Sequence, residues 1–365
     1  MKKLRFAIIG CGRISYKHVE ALISNKEEAI LVATCDVDIQ KAEAKRDEYL
    51  SKINDSSIKV GVYSDYKDMI NHEDIDVVTI ATESGYHAEI AIYAMNKGKN
   101  AIVEKPMALS IKDADLMIET AKNNNVKLCI NHQNRFNKPV QKLRKAIESN
   151  KFGKMVNGTA RILWNRNMGY YEQAPWRGTW AQDGGTLMNQ CIHNIDLLQW
   201  MMGGEIERVY AECDTYLRDI EAEDFGAIMI RFKNGAIGIV EGSACVYPKN
   251  LEETLSVFGE NGAVVIGGLA VNELKTWRFD GEDEEQVKKE VAVEIENVYG
   301  NGHTPLFKDV IDAINNNREP LISGEEGKKA MSIILAAYKS RKTGMPVNFP
   351  IEDFASIEMK EIKKR

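Results

Sequence analysis

The sequence predicts an α/β domain with a doubly wound parallel sheet, followed by an α+β domain with an open-faced, mostly antiparallel sheet. Within the first 130 residues, short apolar runs alternate with helical patterns, and most of these runs are continuously apolar. Strands that are covered on both faces of a parallel sheet show this pattern. After residue 150, strand patterns follow one another with little helix between them, which is typical of an antiparallel sheet.

Five strands and four helices are predicted in the first domain, which we place at residues 1–130. Their strict alternation favours right-handed crossovers in a doubly wound sheet. The predicted strands are Phe6–Ile9, Ile30–Cys35, Val77–Ala81, Ala101–Glu104 and Val126–Ile130. The predicted helices cover about residues 13–25, 40–53, 86–98 and 110–124.

The second domain is placed at residues 131–365. The Asn-Gly pair in Lys233-Asn234-Gly235 predicts a tight hairpin between two of its strands. The acidic stretch Asp280–Glu285 is expected to be a solvated loop, and a helix at about 325–342 is expected to pack back on the first domain. The predicted strands are Met155–Leu163, Ile206–Leu217, Phe225–Phe232, Ala236–Val246 and Thr254–Phe258.

Composition and charge exclude several classes of protein. The chain has 365 residues, of which 44% are hydrophobic and 28% are charged, and these values are typical of a globular protein. The formal net charge of −6 gives no general attraction to nucleic acid or to an anionic membrane. Neither a signal peptide nor a membrane span is predicted, so we expect a cytoplasmic protein with six reduced cysteines.

A glycine-rich turn follows the first predicted strand and opens the first helix. Its sequence is Gly10-Cys11-Gly12-Arg13-Ile14-Ser15, in which Ser15 replaces a third glycine. Gly10 permits a tight turn, and the missing side chain of Gly12 lets a pyrophosphate approach the backbone at the helix N-terminus. This order of strand, glycine turn and helix indicates a dinucleotide-binding site.

Asp36 ends the second predicted strand. An acidic residue there accepts hydrogen bonds from the ribose hydroxyls of NAD and repels the 2′-phosphate of NADP. No Arg follows it, because Val37 and Asp38 come next. The sequence therefore predicts NAD as the cofactor, and the alternative role for Asp36 is that of a turn or helix cap.

Lys105 follows the predicted strand Ala101–Glu104 and precedes Pro106. Ligands of open α/β sheets bind beyond the carboxyl ends of the strands, where Lys105 is expected to lie. A Lys in that place could exchange a proton with a substrate oxygen. The alternative is an ordinary surface Lys before a turn.

A second polar group is predicted on a helix that starts after Gly184 and Gly185. Asn189, His193 and Asp196 are spaced four and three residues apart, so on one continuous helix they lie opposite an apolar stripe. The preceding glycines would let a substrate approach closely, whereas the alternative is a solvent-facing side of the helix. The spacing lacks the ligand density of a zinc site, so no metal is predicted.

The chain resembles the glucose–fructose oxidoreductase/inositol dehydrogenase family over about residues 4 to 345. The segments that show this resemblance are Gly10-Cys11-Gly12, Asp36, Glu104-Lys105-Pro106, residues 189–196 and Gly302-His303. The resemblance implies a Rossmann domain, an open-faced mixed sheet, and hydride transfer between a sugar or polyol carbon and nicotinamide.

Two residues of this chain match the catalytic positions of that family, namely Lys105 and His193. Many members carry Asp where this chain has Asn189. Because Asn cannot take a proton, Asn189 is left to orient the substrate. The role of base then falls on His193, on Lys105 or on both.

A closer resemblance, to bacterial UDP-N-acetylglucosaminuronate 3-dehydrogenases of surface-polysaccharide biosynthesis, rests on Ala174-Pro175-Trp176-Arg177-Gly178-Thr179-Trp180. Aromatic faces pack on sugar and uracil rings, and Arg binds phosphate or carboxylate. The segment from Trp164 to Tyr171 adds similar side chains, unless it is a loop packed on the sheet. The predicted reaction removes a hydride from C3 of a pyranose ring. The alternatives are a dehydrogenase of a free sugar, glycoside or inositol, and a non-catalytic sugar sensor on the same fold.

These inferences define three sets of site residues and one mode of assembly. The catalytic group is expected to comprise Lys105, His193 and Asn189. The NAD-binding residues are expected to be Gly10, Gly12, Arg13, Ile14, Asp36, Thr82, His87, Glu104 and Lys105. The substrate-binding residues are expected to be Arg166, Tyr170, Trp176, Arg177, Asn189 and Asp196. Because the antiparallel sheet lacks helices to cover both faces, we also expect a homo-oligomer, and we favour a tetramer.

Overall fold

The chain is divided into two compact units. The first unit holds the chain up to Ala108 together with Lys112–His132 and His303–Lys328, and the second holds Leu109–Ile111, Gln133–Gly302 and the chain from Lys329. No helix in the described part of the chain is both long and apolar enough to cross a membrane. The computed structural model describes residues 3–55, 57–203, 205–294, 297 and 299–361.

A parallel sheet forms the centre of the first unit. Its strands are β1 (Leu4–Ile9), β2 (Ala29–Cys35), β3 (Gly61–Tyr63), β4 (Val77–Ile80), β5 (Asn100–Val103) and β6 (Leu128–Ile130). They lie in the order β3-β2-β1-β4-β5-β6, so the doubly wound parallel sheet predicted from the sequence is confirmed. Strand β3 was not predicted, because three half-buried residues give no apolar run.

Helices connect the strands of this sheet. They are α1 (Ser15–Ser24), α2 (Ile39–Ile53), α3 (Tyr66–His72), α4 (His87–Asn96) and α5 (Ile111–Asn123). The side chains of Asp38 and Asp65 accept hydrogen bonds from the first turns of α2 and α3, so each of these helices begins at a capping residue.

The second unit is built on an eight-stranded sheet. Its strands are β7 (Met155–Leu163), β8 (Ile206–Asp214), β9 (Phe225–Phe232), β10 (Ile237–Ser243), β11 (Glu252–Gly259), β12 (Gly262–Gly267), β13 (Glu273–Phe279) and β14 (Val347–Asn348). Their order is β13-β12-β11-β7-β10-β9-β8-β14. All neighbours are antiparallel except β10 and β7, which confirms a mostly antiparallel sheet.

Short helices accompany this sheet. They are α6 (Lys138–Glu148), α7 (Met168–Tyr171), α8 (Thr186–Asn189), α9 (Ile192–Met201) and α10 (Glu284–Val291). The acidic stretch at 280–285 is not only a loop, because the Asp283 side chain accepts hydrogen bonds from Glu285 N and Gln286 N at 2.9 and 3.2 Å and starts α10.

Two further helices follow, α11 (His303–Asn315) and α12 (Gly324–Thr343). Helix α11 packs against α1 in the first unit, although the sequence-based boundary assigned this segment to the second domain. Most of α12 groups with the second unit, and the expected packing of this helix on the first domain stays a prediction. There, Ala211 N donates to Ser340 Oγ at 3.1 Å, and Arg341 pairs with Asp214 at 2.7 Å.

One face of the eight-stranded sheet is open. Tyr210, Met229 and Ile239 lie in register on β8, β9 and β10, and they are 38%, 57% and 43% exposed. The alternate residues of the same strands, such as Ile228 and Val240, are buried. The sheet therefore has one core face and one open face with an apolar row.

A buried ion pair joins α9 to the segment that precedes α6. Arg135 donates from Nε and Nη2 to the two carboxylate oxygens of Asp196, at 2.7 and 2.6 Å. Both side chains are at most 1% exposed, and the Trp200 ring lies 4.7 Å from Cζ of Arg135. This pair holds α9 in place within the second unit, because a buried charge that loses its oppositely charged partner is strongly destabilising.

We predict that Asp196→Ala lowers the free energy of unfolding by about 3–5 kcal/mol, because it leaves a buried guanidinium without its carboxylate. Urea denaturation measures this change. The control is Glu205→Ala, which removes the partner of Lys233 from a pair whose side chains are 79% and 57% exposed. That change should cost less than about 1 kcal/mol. Equal losses in the two variants would contradict the importance of the buried pair.

Candidate functional site

The glycine turn after β1 has the geometry of a dinucleotide-binding loop. Gly10 has a φ of +89°, and a Cβ there would lie 2.5 Å from the carbonyl carbon of Ala81, so this position requires glycine. A Cβ on Gly12 would instead meet no atom of the described residues within 4 Å. The space beside Gly12 is therefore open to a phosphate group at the N-terminus of α1.

Asp36 lies at the end of β2 and faces this turn. Its carboxylate accepts hydrogen bonds from Cys11 N at 2.7 Å and from Asp38 N at 2.9 Å. Burial, with a contribution from the Asp36 charge, raises the pKa of the Cys11 thiol to about 12, so this thiol stays neutral. Arg13 is exposed and Ile14 is half-buried on the same turn, where a dinucleotide would lie.

His87 ties together the ends of β4 and β5. Its Nδ1 lies 2.7 Å from the Pro106 carbonyl oxygen and its Nε2 lies 3.1 Å from that of Thr82. The ring is 1% exposed, and burial lowers its pKa. Both ring nitrogens of His87 thus lie close to backbone oxygens, and the ring supports the turn that presents half-buried Lys105 at the end of β5. The contact of His87 with the cofactor stays a prediction.

Glu104 is likewise buried and engaged within the protein. Its Oε1 lies 3.0 Å from His18 Nε2 and 3.4 Å from His303 Nε2, and it also accepts from Asn131 Nδ2. Burial alone would raise the pKa of Glu104, but its hydrogen bonds and charge interactions with the two histidines hold that pKa well below its usual range. These bonds make Glu104 a support beneath Lys105, and its contact with NAD stays a prediction.

The same three side chains are close enough to share a metal ion. The potential ligand atoms of His18, Glu104 and His303 lie within 4.8 Å of one another. However, Asn131 already donates to the Glu104 oxygen, and His18 Nδ1 is hydrogen-bonded to Thr79 Oγ1. The group is thus a connected hydrogen-bond network, and the expectation that no metal is needed stays a prediction.

Asn189 and His193 lie on successive helices, α8 and α9, and not on the single helix predicted from their spacing. Cys191 N donates to Thr186 O at 3.1 Å, which widens the backbone and ends α8 before α9 begins. Both predicted catalytic side chains of this unit are half-buried. His193 is the second residue of α9, so it lies at the helix end nearest to Asn189.

Gln190 joins these helices to the segment around α7. Its Nε2 donates to Tyr170 Oη at 2.9 Å and to Asn189 Oδ1 at 2.7 Å. Its Oε1 accepts from Arg166 Nε at 2.9 Å. The structure therefore brings together Arg166, Tyr170 and Asn189, three of the predicted substrate-binding residues.

Two guanidinium groups stack on aromatic rings in this network. Arg166 Cζ lies 4.5 Å from the Trp164 ring centre and 5.2 Å from that of Tyr170. Arg177 Cζ lies 4.3 Å from the Tyr170 ring centre and 4.6 Å from that of Trp176, and Arg177 also donates to Tyr170 Oη. Burial lowers the pKa of Arg166 and raises that of Tyr170, yet an Arg stays cationic and a Tyr stays neutral at pH 7.

Three members of this network were not predicted as site residues, namely Trp164, Asp183 and Gln190. Asp183 is 3% exposed, accepts from Gly178 N at 2.7 Å, and accepts from the Asn189 side-chain amide. The sequence held a signal for two of them, because Asp183 precedes the glycine pair and Gln190 follows Asn189. The bonds of Gln190 to Arg166 and Tyr170 join residues 24 and 20 positions apart, and the spacing does not reveal them.

Asp196 was predicted to bind substrate, and the structure places it in a buried ion pair. The side chain is fully buried, and both of its oxygens accept from Arg135. This pairing gives Asp196 a structural role, and its contact with a substrate stays a prediction.

The second unit thus presents a shallow pocket with amide, carboxylate and aromatic groups in its wall. The guanidinium groups of Arg166 and Arg177 beside it can bind an anionic ligand, and the amides of Asn189 and Gln190 can hydrogen-bond sugar hydroxyls. The residues that line the pocket are Tyr171, Gly178, Asp183, Gly185, Thr186, Asn189, Gln190 and Ile220.

Comparison with protein families supports the same interpretation for each unit. Residues 4–132 match the model described as an oxidoreductase family with an NAD-binding Rossmann fold. Residues 140–265 match the GFO/IDH/MocA C-terminal domain.

Solved structures and curated relatives agree with these matches. The WlbA dehydrogenase from Bordetella pertussis, in complex with NADH and UDP-GlcNAcA, is 34% identical with a TM-score of 0.85, over 96% of this chain and 100% of that one. The Chromobacterium violaceum WlbA complex with the same ligands is 33% identical with a TM-score of 0.86, over 96% and 97%. A myo-inositol 2-dehydrogenase of Thermotoga maritima is 27% identical over 98% of this chain and 99% of its own. The chain therefore belongs to the GFO/IDH/MocA family of oxidoreductases, and its first unit is the NAD-binding Rossmann domain of that family.

Proposed function

We propose that this enzyme oxidises a secondary hydroxyl, at C3, of a nucleotide sugar such as UDP-N-acetylglucosaminuronate in surface-polysaccharide biosynthesis, with NAD as oxidant. The observation that supports this substrate class is the pair of cations, Arg166 and Arg177, whose Cζ atoms lie 5.2 and 4.3 Å from the ring centre of Tyr170. A diphosphate with a uracil ring offers anionic and aromatic partners to such a surface. The two WlbA structures, which contain UDP-GlcNAcA, support the same substrate.

The first unit provides the cofactor site. Gly10 permits the tight turn, Gly12 leaves room for the pyrophosphate, and Asp36 places a carboxylate where it can accept from ribose hydroxyls. When bound there, NAD supplies the hydride acceptor.

Proton transfer requires groups that can gain and lose a proton. His193 at the start of α9 is assigned as the base that takes the hydroxyl proton, and Lys105 as the cation that stabilises the developing alkoxide. Asn189 cannot serve as a base. Its amide donates to Asp183 and accepts from Gln190, so it presents a fixed orientation to a sugar hydroxyl.

The second candidate function is oxidation of an inositol or a free sugar. The 27% identical myo-inositol 2-dehydrogenase supports it. Such substrates carry no phosphate, so they leave Arg166 and Arg177 without an anionic partner. This is why we favour the nucleotide sugar.

A screen for NADH formation tests whether the substrate is a nucleotide sugar or a free sugar or inositol. UDP-sugars, free hexoses, glycosides and inositols are each incubated with the enzyme and NAD, and absorbance of NADH is followed. The highest kcat/KM is expected for a UDP-sugar. If only free sugars or inositols reduce NAD, the nucleotide-sugar proposal fails, and if no sugar does, a non-catalytic sugar-sensing role is favoured.

We predict that Lys105→Ala and His193→Ala each lower kcat by about 10²–10⁴-fold, the range expected for a lost proton-transfer group. NAD binding, measured by calorimetry, should largely survive in both variants. Lys97→Ala and His72→Ala serve as controls, because both side chains are exposed in the first unit. A His193→Ala enzyme with a kcat near the wild-type value would move the base elsewhere.

We predict that Arg177→Ala raises KM for the UDP-sugar about tenfold or more, because a charge-assisted hydrogen bond contributes about 1.5–3 kcal/mol. KM for any free sugar that turns over should change far less. Arg278→Ala is the matched control, since its side chain is 76% exposed. An equal rise in KM for both kinds of substrate would show that Arg177 acts on the fold and not on the nucleotide.

We also propose that the open sheet face is covered by a second copy of the chain in a homo-oligomer, with a tetramer expected. The exposed row Tyr210, Met229 and Ile239 supports this, because a monomer would leave it in water. Light scattering at micromolar concentration should give a multiple of 41.1 kDa, and Met229→Lys should reduce the mass. A wild-type monomer would refute the assembly.

A further inference from the structure

A buried carboxyl group lies beneath the glycine pair that precedes α8. Glu223 is 1% exposed, and its Oε1 accepts from Leu187 N at 2.7 Å. A Cβ on Gly185 would lie 1.7 Å from Glu223 Oε2, and Gly185 has a φ of +96°, so only glycine fits against this carboxyl. The carboxyl therefore contacts the backbone at the point where α8 begins.

Tyr338 of α12 completes the arrangement. Its Oη lies 2.5 Å from the Gly184 carbonyl oxygen and 3.0 Å from Glu223 Oε1. All of these atoms belong to the second unit. The hydroxyl thus contacts two oxygen atoms, one on the turn and one on the buried carboxyl.

A count of protons decides how these contacts form. A tyrosine hydroxyl has one proton to donate, and a backbone carbonyl has none. At 2.5 Å, the contact with Gly184 must contain the tyrosine proton, because two unprotonated oxygens would repel each other. A separate two-centre bond between Glu223 Oε1 and Tyr338 Oη at 3.0 Å then takes a second proton, which a protonated carboxyl supplies. The alternative is a single tyrosine proton shared by both oxygens, and the protonation state of Glu223 distinguishes the two arrangements.

We propose that Glu223 is a neutral carboxylic acid that donates a hydrogen bond to Tyr338 and thereby positions the Gly184–Gly185 turn at the start of α8. It is a positioning residue, since it acts through Tyr338 and the turn and not on the substrate. The consequence for activity rests on the proposed function, because α8 ends at Asn189.

The surroundings of Glu223 favour the neutral form. Burial raises its pKa well above the usual range, hydrogen bonds with Leu187 N and Tyr338 act in the opposite direction, and the charge of Asp183 adds to the rise. Within the described residues, Glu223 Oε2 has no hydrogen-bonding partner, which would be costly for a charged oxygen. The titratable side chains that face it are not cations, and they are Tyr171 of α7, Asp183 before α8, Cys213 of β8 and Tyr338 of α12.

The sign of the pH dependence follows from these facts. The pKa of Glu223 is higher in the folded chain than its value of about 4.3 in an unfolded one. The folded state therefore gains most from this group below about pH 4.3 and loses that gain as the pH rises toward the folded pKa. Ionisation would place two acceptors against the one Tyr338 proton, and the turn would lose a bond.

Three variants separate charge from shape. Glu223→Gln keeps a neutral donor, so kcat/KM should stay within about threefold of wild type, since an isosteric neutral group keeps the bond to Tyr338. The fall of kcat/KM at alkaline pH should become shallower in this variant. Glu223→Ala should lose about tenfold to a hundredfold, as expected when a buried donor and acceptor are left unpaired. Tyr338→Phe should resemble Glu223→Ala.

Infrared spectroscopy of the protein without substrate tests the proton directly. The difference spectrum of wild type minus Glu223→Gln at pH 7 should show the C=O band of a protonated carboxylic acid. Glu148→Gln is the control, because that carboxyl is 58% exposed on α6, and its difference spectrum should show carboxylate bands only.

The outcomes distinguish the two proposals. Carboxylate bands alone for Glu223, or a Glu223→Gln enzyme as impaired as Glu223→Ala, would overturn the neutral-acid assignment. If the acid band is present but no sugar reduces NAD, the proposed function fails while the assignment of the proton stands. If Glu223→Ala does not fold, the infrared result still shows whether Glu223 is protonated, because it uses only the Gln variant, which keeps the shape of the side chain.

Discussion

The candidate substrate-binding network of the second unit depends on one constraint, which is the close packing of the Gly184–Gly185 turn on the buried carboxyl of Glu223. Because Glu223 Oε2 lies against the Gly185 Cα, the backbone at this point has little freedom to shift. Helix α8 begins there, and Asn189 at its end reaches Asp183 and Gln190. The position of Asn189 and of its two partners therefore depends on a contact in the core. A sugar hydroxyl would meet amides whose orientation is set before it binds.

The end of β5 in the first unit is supported in a comparable way. Lys105 follows this strand, and the adjoining residues are held by Glu104, with bonds to His18 and His303, and by the His87 ring. Buried histidine and carboxylate groups are costly unless they are paired, so these bonds favour one arrangement of the backbone before Lys105.

Local sequence predicted the parts of the structure that depend on local rules. The continuous apolar runs marked the central parallel strands, and the spacing of Gly10 and Gly12 after β1 marked the phosphate turn. The hairpin at Asn234-Gly235 is present, with Gly235 at a φ of +90°. Each of these features depends on residues within a few positions of one another, so the chain itself carries the information.

The sequence did not reveal features that depend on the partners of individual side chains and backbone groups. A helical projection joined Asn189, His193 and Asp196 on one helix, but the helix is interrupted at Cys191, whose N–H donates to Thr186 O. Asp196 pairs with Arg135, a partner that the spacing does not reveal. The contacts of Glu104 with two histidines, and of His87 with two backbone oxygens, likewise join residues that the sequence does not bring together.

The central claim is that the aromatic and cationic network of the second unit binds a nucleotide diphosphate. A crystal structure of the enzyme with NADH and a UDP-sugar measures this directly. We expect phosphate oxygens within hydrogen-bonding distance of Arg166 or Arg177, and the sugar ring beside Asn189 and His193. Uridine density at another surface, or a UDP-sugar bound with both arginines contacting only protein groups, would contradict this claim.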